Sequence, residues 1–198
     1  MKVQDHPSTA TKCSRIQALA AVKTLISYIG DNPNRDGLVD TPERVLKSYQ
    51  ELFAGYNSNP KEILAKTFTD VDEYQEMVLV KNINISSYCE HHIIPILGHA
   101  SIAYIPNGRV VGISKLARVA DIFARRLQVQ ERLTSQIANT INEVLQPKGV
   151  AVLIDANHQC MSTRGANKID SSTVTSCMLG DFKKDAQLRN EFYTKIKI

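Results

Sequence analysis

The chain has 198 residues, 43% of them hydrophobic and 22% charged, which fits a globular protein of one domain, or one domain with a helical appendage. No run of about 18 apolar residues occurs, so no membrane span is expected, and the first eight residues lack the apolar core of a signal peptide, which makes the cytoplasm the expected compartment. The net charge of +4 is matched by residues 109–132 alone, where six basic side chains stand against Asp121 and Glu131: this is a solvated face or an anion site, and an aromatic content of 6% that does not interleave with the basic residues argues against nucleic acid.

Residues 1–13 are polar and irregular and read as a tail. From Ser14 the pattern is helical, with Ala18, Val22, Leu25, Ile26 and Ile29 on one face and Gly30 as a stop. Asp31–Gly37 reads as a loop, and Asp40-Thr41-Pro42-Glu43 starts a second helix with proline where no N–H is needed. Its stripe is Val45, Leu46, Tyr49, Leu52 and Phe53, ending near Gly55. After about Thr67 the period changes. Met77, Leu79, Ile83 and Ile85 alternate as in a strand, and a second strand is expected near Gly98–Ile105. Asn107-Gly108 is a strong hairpin signal, so Arg109–Ile113 is expected to pair back on that second strand. Ser114 is expected to cap a helix running to about Arg126. Leu133, Ile137, Ile141, Val144 and Leu145 mark another helix, broken by Pro147-Lys148-Gly149. Val150–Ile154 is an apolar strand leading to His158, Ser171–Leu179 a further strand and Asp185–Ile196 a last helix. The order of helices, strands, two helices, strands, helix predicts an α+β fold with mostly antiparallel pairing. It divides into an N-terminal helical region, 1–66, and a larger unit, 67–198.

A disulfide framework needs an oxidising compartment and usually a denser set in a shorter chain, so the four cysteines read as free thiols or metal ligands. Cys89-Glu90-His91-His92 and His158-Gln159-Cys160 each follow a predicted strand. Together they hold two of the four cysteines and three of the five histidines. Thiolate with imidazole favours zinc over magnesium or calcium. Cys89, His92 and Cys160 would supply three ligands and leave a fourth place for water, whose pKa such an ion lowers from ~15.7 to about 7. His91 and His158 would remain as proton carriers. From residue types alone two other readings stay open: buried core cysteines beside ordinary histidines, and a closed structural zinc site that also uses His158.

Several motifs in order resemble the GTP cyclohydrolase I family: Asp40-Thr41-Pro42-Glu43-Arg44-Val45, Cys89-Glu90-His91-His92, Gly112-Ile113-Ser114-Lys115-Leu116-Ala117-Arg118, Gln128-Val129-Gln130-Glu131-Arg132-Leu133-Thr134, and His158-Gln159-Cys160-Met161 with Arg164-Gly165. The resemblance runs from about residue 15 to the C-terminus. It implies the tunnelling fold, a homodecamer of two stacked pentamers with active sites at subunit interfaces, and conversion of GTP and water into 7,8-dihydroneopterin triphosphate and formate, the first step of tetrahydrofolate-type pterin synthesis. It implies Zn2+ on Cys89, His92 and Cys160, with attack of water at C8 of guanine. His158 would protonate N7 and His91 would assist the later proton transfers. Glu131 would accept from guanine N1–H and the 2-amino group, with Gln130 beside it. Ser114 would contact the sugar, and Lys115, Arg118 and Arg164 the triphosphate, with Arg44 and Lys47 as further phosphate contacts from a neighbouring subunit. Cys13, Cys177, His6 and His99 carry no role by this resemblance. Two competing readings are another purine or pterin enzyme of the same fold, and a non-enzymatic, zinc-stabilised RNA-binding protein.

Overall fold

The computed structural model describes residues 13–69 and 74–197, so the expected tail lies, apart from Cys13, outside the described residues. The chain divides into two compact units, residues 1–54 and 55–198.

In the first unit, α1 (Arg15–Tyr28) opens on a reciprocal capping box in which Ser14 and Gln17 each accept the other's backbone N–H. It closes before Gly30, whose φ of +96° suits a residue without Cβ. The second helix, α2 (Thr41–Leu52), carries Pro42 in its first turn, where the missing N–H costs no hydrogen bond. An Arg15–Glu43 ion pair ties the two helices. In the loop between them Arg35 grips both oxygens of Asp31 at 2.9 and 2.8 Å and holds that carboxyl down to about 2. The apolar stripe expected on α1 does not find a core within this unit. Only Ile26 of it is buried, while Leu25 and Ile29 are 62% and 76% exposed.

The second unit adds a short helix that the sequence pattern did not suggest, α3 (Pro60–Ala65), capped by Asn59. There follow β1 (Thr67–Phe68), β2 (Val78–Cys89), β3 (Pro95–Ile105), β4 (Val110–Val111), α4 (Ile113–Ala124), β5 (Leu127–Gln128), α5 (Gln130–Leu145), β6 (Gly149–His158), α6 (Gln159–Ser162), β7 (Thr173–Gly180), α7 (Asp181–Lys184) and α8 (Ala186–Ile196). The main sheet has the order β5-β2-β3-β6-β7, antiparallel except for the short β2–β5 pair. Helices α4 and α5 cover one face of it. Leu133, Ile137, Ile141 and Leu145, one turn apart along α5, are at most 1% exposed and belong to one apolar core with Leu116, Val119 and Phe123 of α4 and with Ile102, Tyr104, Val150 and Val152 of the sheet. Ala103, Ile105 and Ala151, the alternate residues of the same strands, point the other way and meet Phe182 and Phe192.

Two sequence expectations change in this unit. The alternation Met77, Leu79, Ile83, Ile85 does not mark one face. A bulge at Lys81-Asn82, with Asn82 at φ +58°, puts one extra residue into β2 opposite β3. Met77 and Leu79 therefore pack toward Phe182, while Ile83 and Ile85 face the main core. The hairpin expected at Asn107-Gly108 is also absent. Gly108 is at φ +71° but Asn107 is not in the positive region that a two-residue hairpin turn of that type needs. Both edges of β3 are already taken, by β2 and β6, so β4 pairs with β1 instead and the Val111 N–H donates to the Tyr104 hydroxyl at 3.3 Å. A smaller shift concerns Ser114: the residue preceding α4 is Gly112, and Ser114 lies inside the first turn.

Candidate metal and proton-transfer site

Sheet register builds the site. Tyr88 of β2 pairs with Pro95 of β3, so Cys89 stands at the last position before a tight connection. That connection closes on Cys89 itself: its N–H donates to the Ile94 carbonyl at 2.9 Å, and its own carbonyl accepts from the Ile93 N–H at 2.8 Å. Ile93 sits at φ +56°, a conformation that costs a β-branched residue free energy. One residue further on, Ile96 of β3 pairs with His158, the last residue of β6. The first turn of α6 then carries Cys160 back over the strand ends. Two segments nearly seventy positions apart thus meet because three antiparallel strands terminate together.

Cys89 Sγ, a ring nitrogen of His92 and Cys160 Sγ lie within 4.8 Å of one another. Ligands on a tetrahedral zinc ion are separated by roughly 3.5–3.8 Å, from bond lengths of about 2.3 Å to sulfur and about 2.0 Å to nitrogen. The triad needs only a small contraction to meet that geometry; Cys89 Sγ is already 3.9 Å from His92 Nδ1. Burial pushes the Cys160 thiol up, and the adjacent Cys89 sulfur pushes it further in the same direction. A cation placed beside the two sulfurs would offset that repulsion. The donor set fits a soft or borderline divalent metal.

Around the triad stand the other groups. His91 Nδ1 is 3.6 Å from Cys89 Sγ, and its ring meets that of His92 edge to face at 6.3 Å. His158 Nε2 is 2.9 Å from Gln130 Oε1. Burial lowers the His158 pKa below its ordinary value, and the Glu131 carboxylate partly opposes this. Arg164 Nη1 donates to His92 Nε2 at 3.2 Å, which brings a permanent positive charge to the edge of the triad. Glu90 and Arg132 form a bidentate ion pair at 2.6 and 3.0 Å that straps the Cys89–Ile93 connection to α5. No sequence signal pointed to that strap, because its partners are 42 positions apart.

The remaining predicted residues lie on α4 and on α2. Ser114, Lys115 and Arg118 occupy the first turns of α4, where Ser114 and Arg118 are exposed and Lys115 Nζ donates to the Lys66 carbonyl at 2.6 Å. Arg44 and Lys47 are exposed on α2 in the first unit, along a shallow groove with Arg15, Glu43 and Gln50. Cys177 is half-buried against the main core and Cys13 is exposed.

A helix-covered antiparallel sheet whose strand ends gather two thiols, three imidazoles and a cationic rim defines a class: α+β enzymes with a metal-competent acid–base site. The GTP cyclohydrolase I family profile matches residues 18–197, and the chain belongs to that family. It is 53% identical over 182 residues to GTP cyclohydrolase 1 of Maricaulis maris (strain MCS10), covering 92% of this chain and 89% of that one. It is also 53% identical over 186 residues to GTP cyclohydrolase 1 of Brucella abortus (strain S19), covering 94% and 87%. A partial structural likeness, TM-score 0.42 at 18% identity over 52% of this chain and 93% of the other, is to the crystal structure of the archaeosine synthase QueF-Like in the apo form. Membership carries the tunnelling fold and the GTP cyclohydrolase I activity at the first step of pterin and folate synthesis. Among the described residues no helix is long and apolar enough to cross a membrane.

Proposed function

We propose that the chain opens the guanine ring of GTP at a zinc site held by Cys89, His92 and Cys160. The convergence of those three donor atoms within 4.8 Å carries the reading. Zinc, when bound there, supplies a Lewis acid that makes water nucleophilic at neutral pH. The protein's own groups supply recognition and proton transfer. Glu131, at the start of α5, accepts from guanine N1–H and the 2-amino group; a carboxylate's two oxygens match that pair of donors, which adenine lacks. His158 delivers a proton to N7, without which C8 is a poor electrophile. His91 moves protons on the far side of the triad during release of formate and rearrangement of the ribose. Ser114 meets the sugar, and Lys115, Arg118 and Arg164 hold the triphosphate. For Lys115 this requires exchanging the Lys66 carbonyl for phosphate oxygens.

The assembly belongs to the same proposal. His91, His92, Glu131 and Arg164 are all exposed on a single chain, so the site lacks walls. A homodecamer with sites between subunits would provide them, with Arg44 and Lys47 of a neighbouring copy extending the phosphate grip. The outer edge of β7 and the exposed Leu25, Tyr28 and Ile29 of α1 support association, since both leave groups that another copy can cover.

Metal analysis of purified protein, combined with a GTP-dependent formate assay, tests the reading. One zinc per chain and stoichiometric formate are expected. Cys160→Ser should lower zinc content and turnover together; full activity with unchanged zinc would remove Cys160 from the ligand set.

A further inference from the structure

Gln130 is 1% exposed, although Glu131 beside it is exposed. Its side-chain amide is enclosed by protein. The nitrogen donates to the Thr173 carbonyl at 2.7 Å, the Ile154 carbonyl at 3.1 Å and Thr175 Oγ1 at 3.1 Å, and the oxygen faces His158 Nε2 at 2.9 Å. The direction of every bond in this group can be worked out. Thr134 Oγ1 spends its hydrogen on the Gln130 carbonyl at 2.8 Å. It therefore accepts in its 2.7 Å contact with Thr175 Oγ1, and Thr175 must be the donor there. Thr175 Oγ1 is then free to accept from Gln130. With two backbone carbonyls, which can only accept, and this hydroxyl on one side, the amide nitrogen must point to them. A flipped amide would set its oxygen against three acceptors. The oxygen must consequently face His158, and an oxygen can be met there only by an N–H.

We propose that Gln130 is the positioning residue of His158: it fixes the ring with Nε2–H turned into the protein and leaves Nδ1 as the nitrogen that exchanges a proton with the substrate. This replaces the direct substrate contact expected for Gln130, and it rests on the proposed role of His158. The same bond removes Nε2 from any competition for the metal, so the ring cannot close the coordination shell through that atom. The orientation is held by β6 and β7 together, because Ile154, Thr173 and Thr175 belong to paired positions of those strands. A mobile imidazole would present either nitrogen; one tied at Nε2 presents the same atom in every turnover.

The test has two parts. The first uses zinc-loaded wild-type protein carrying 15N-histidine, with the His158 signals assigned by their loss in His158→Ala. At a pH where the ring is neutral, a protonated Nε2 and a bare Nδ1 are expected; the opposite tautomer overturns the proposal and needs no variant at Gln130. The second is steady-state turnover of GTP by Gln130→Met, which keeps the volume and removes the amide. A fall in kcat of about 10- to 100-fold is expected, part of the 10²–10⁴ that a positioned acid or base contributes, with KM within about threefold and zinc content unchanged. Ile141→Val, deep in the core of the same helix, provides the comparison for simple destabilisation and should leave kcat near wild type. A raised KM with intact kcat would return Gln130 to substrate binding, and unchanged kinetics would overturn the positioning role. If His158→Ala itself turns over GTP normally, the role of His158 fails and this inference with it. Loss in His158→Ala together with full activity in Gln130→Met would sink only the inference.

Discussion

Glu131 and Gln130 are adjacent on α5, yet the first turn of the helix sends one carboxylate outward and buries the other residue's amide. The outward one carries the recognition assigned to guanine. Glu131→Gln keeps the shape but offers one acceptor and one donor to two ring donors, leaving an N–H facing an N–H. Competition assays should find kcat/KM for GTP lowered on the order of 10²-fold or more, since a site built to hydrogen-bond its substrate tolerates a mismatched donor poorly. Zinc content and thermal midpoint should not move; a variant with wild-type kcat/KM would free Glu131 of that role. The triad Cys89, His92, Cys160 was readable at this scale because thiols and imidazoles are scarce and chemically distinctive, and two short segments held most of them. Gln130's part was not readable. An amide in a row of polar residues has no signature until Thr134 and Thr175, one from the same helix and one from β7, are brought around it.

Among the elements, β3 has the greatest influence on the site, because it pairs along its length with both β2 and β6 and thereby sets Cys89 and His158 against each other. Gly98 lies in that register two residues from Ile96. A Cβ placed there would come within 2.1 Å of the Asp155 carbonyl oxygen and 2.5 Å of the Ala156 Cα, both backbone atoms of β6. Rigid strands cannot yield to such a contact cheaply. Gly98→Ala should lose about 1–3 kcal/mol in urea unfolding, as overpacked sites do. It should also lose zinc affinity, because the displaced strand end carries His158 and leads to Cys160. Wild-type stability with normal metal content would show that the strands can separate there without cost. The same strand explains where pattern reading went astray. Asn107-Gly108 reads locally as a hairpin, but a turn signal cannot know that both edges of the preceding strand are occupied. The bulge at Asn82 is equally silent in sequence: alternation continues through it while the faces exchange.

For the whole molecule, the homodecamer proposed from the family resemblance gives one expectation about assembly. Sedimentation of the active protein should give a mass near ten chains of 22.1 kDa, with GTP turnover lost as the assembly is diluted or dissociated. Full activity in a 22.1 kDa species would refute interface-built sites. The α+β order and the two short Cys/His segments that can offer metal ligands were determined by the sequence alone. Periodicity reports which face of an element seeks the core, and residue chemistry reports which ions it can hold; both are local properties. Tertiary structure decided which strand β4 joins, which face of β2 each apolar residue takes, and which nitrogen of His158 is committed. Those outcomes depend on edges, acceptors and backbone atoms contributed by segments distant in the chain, and no local pattern contains them.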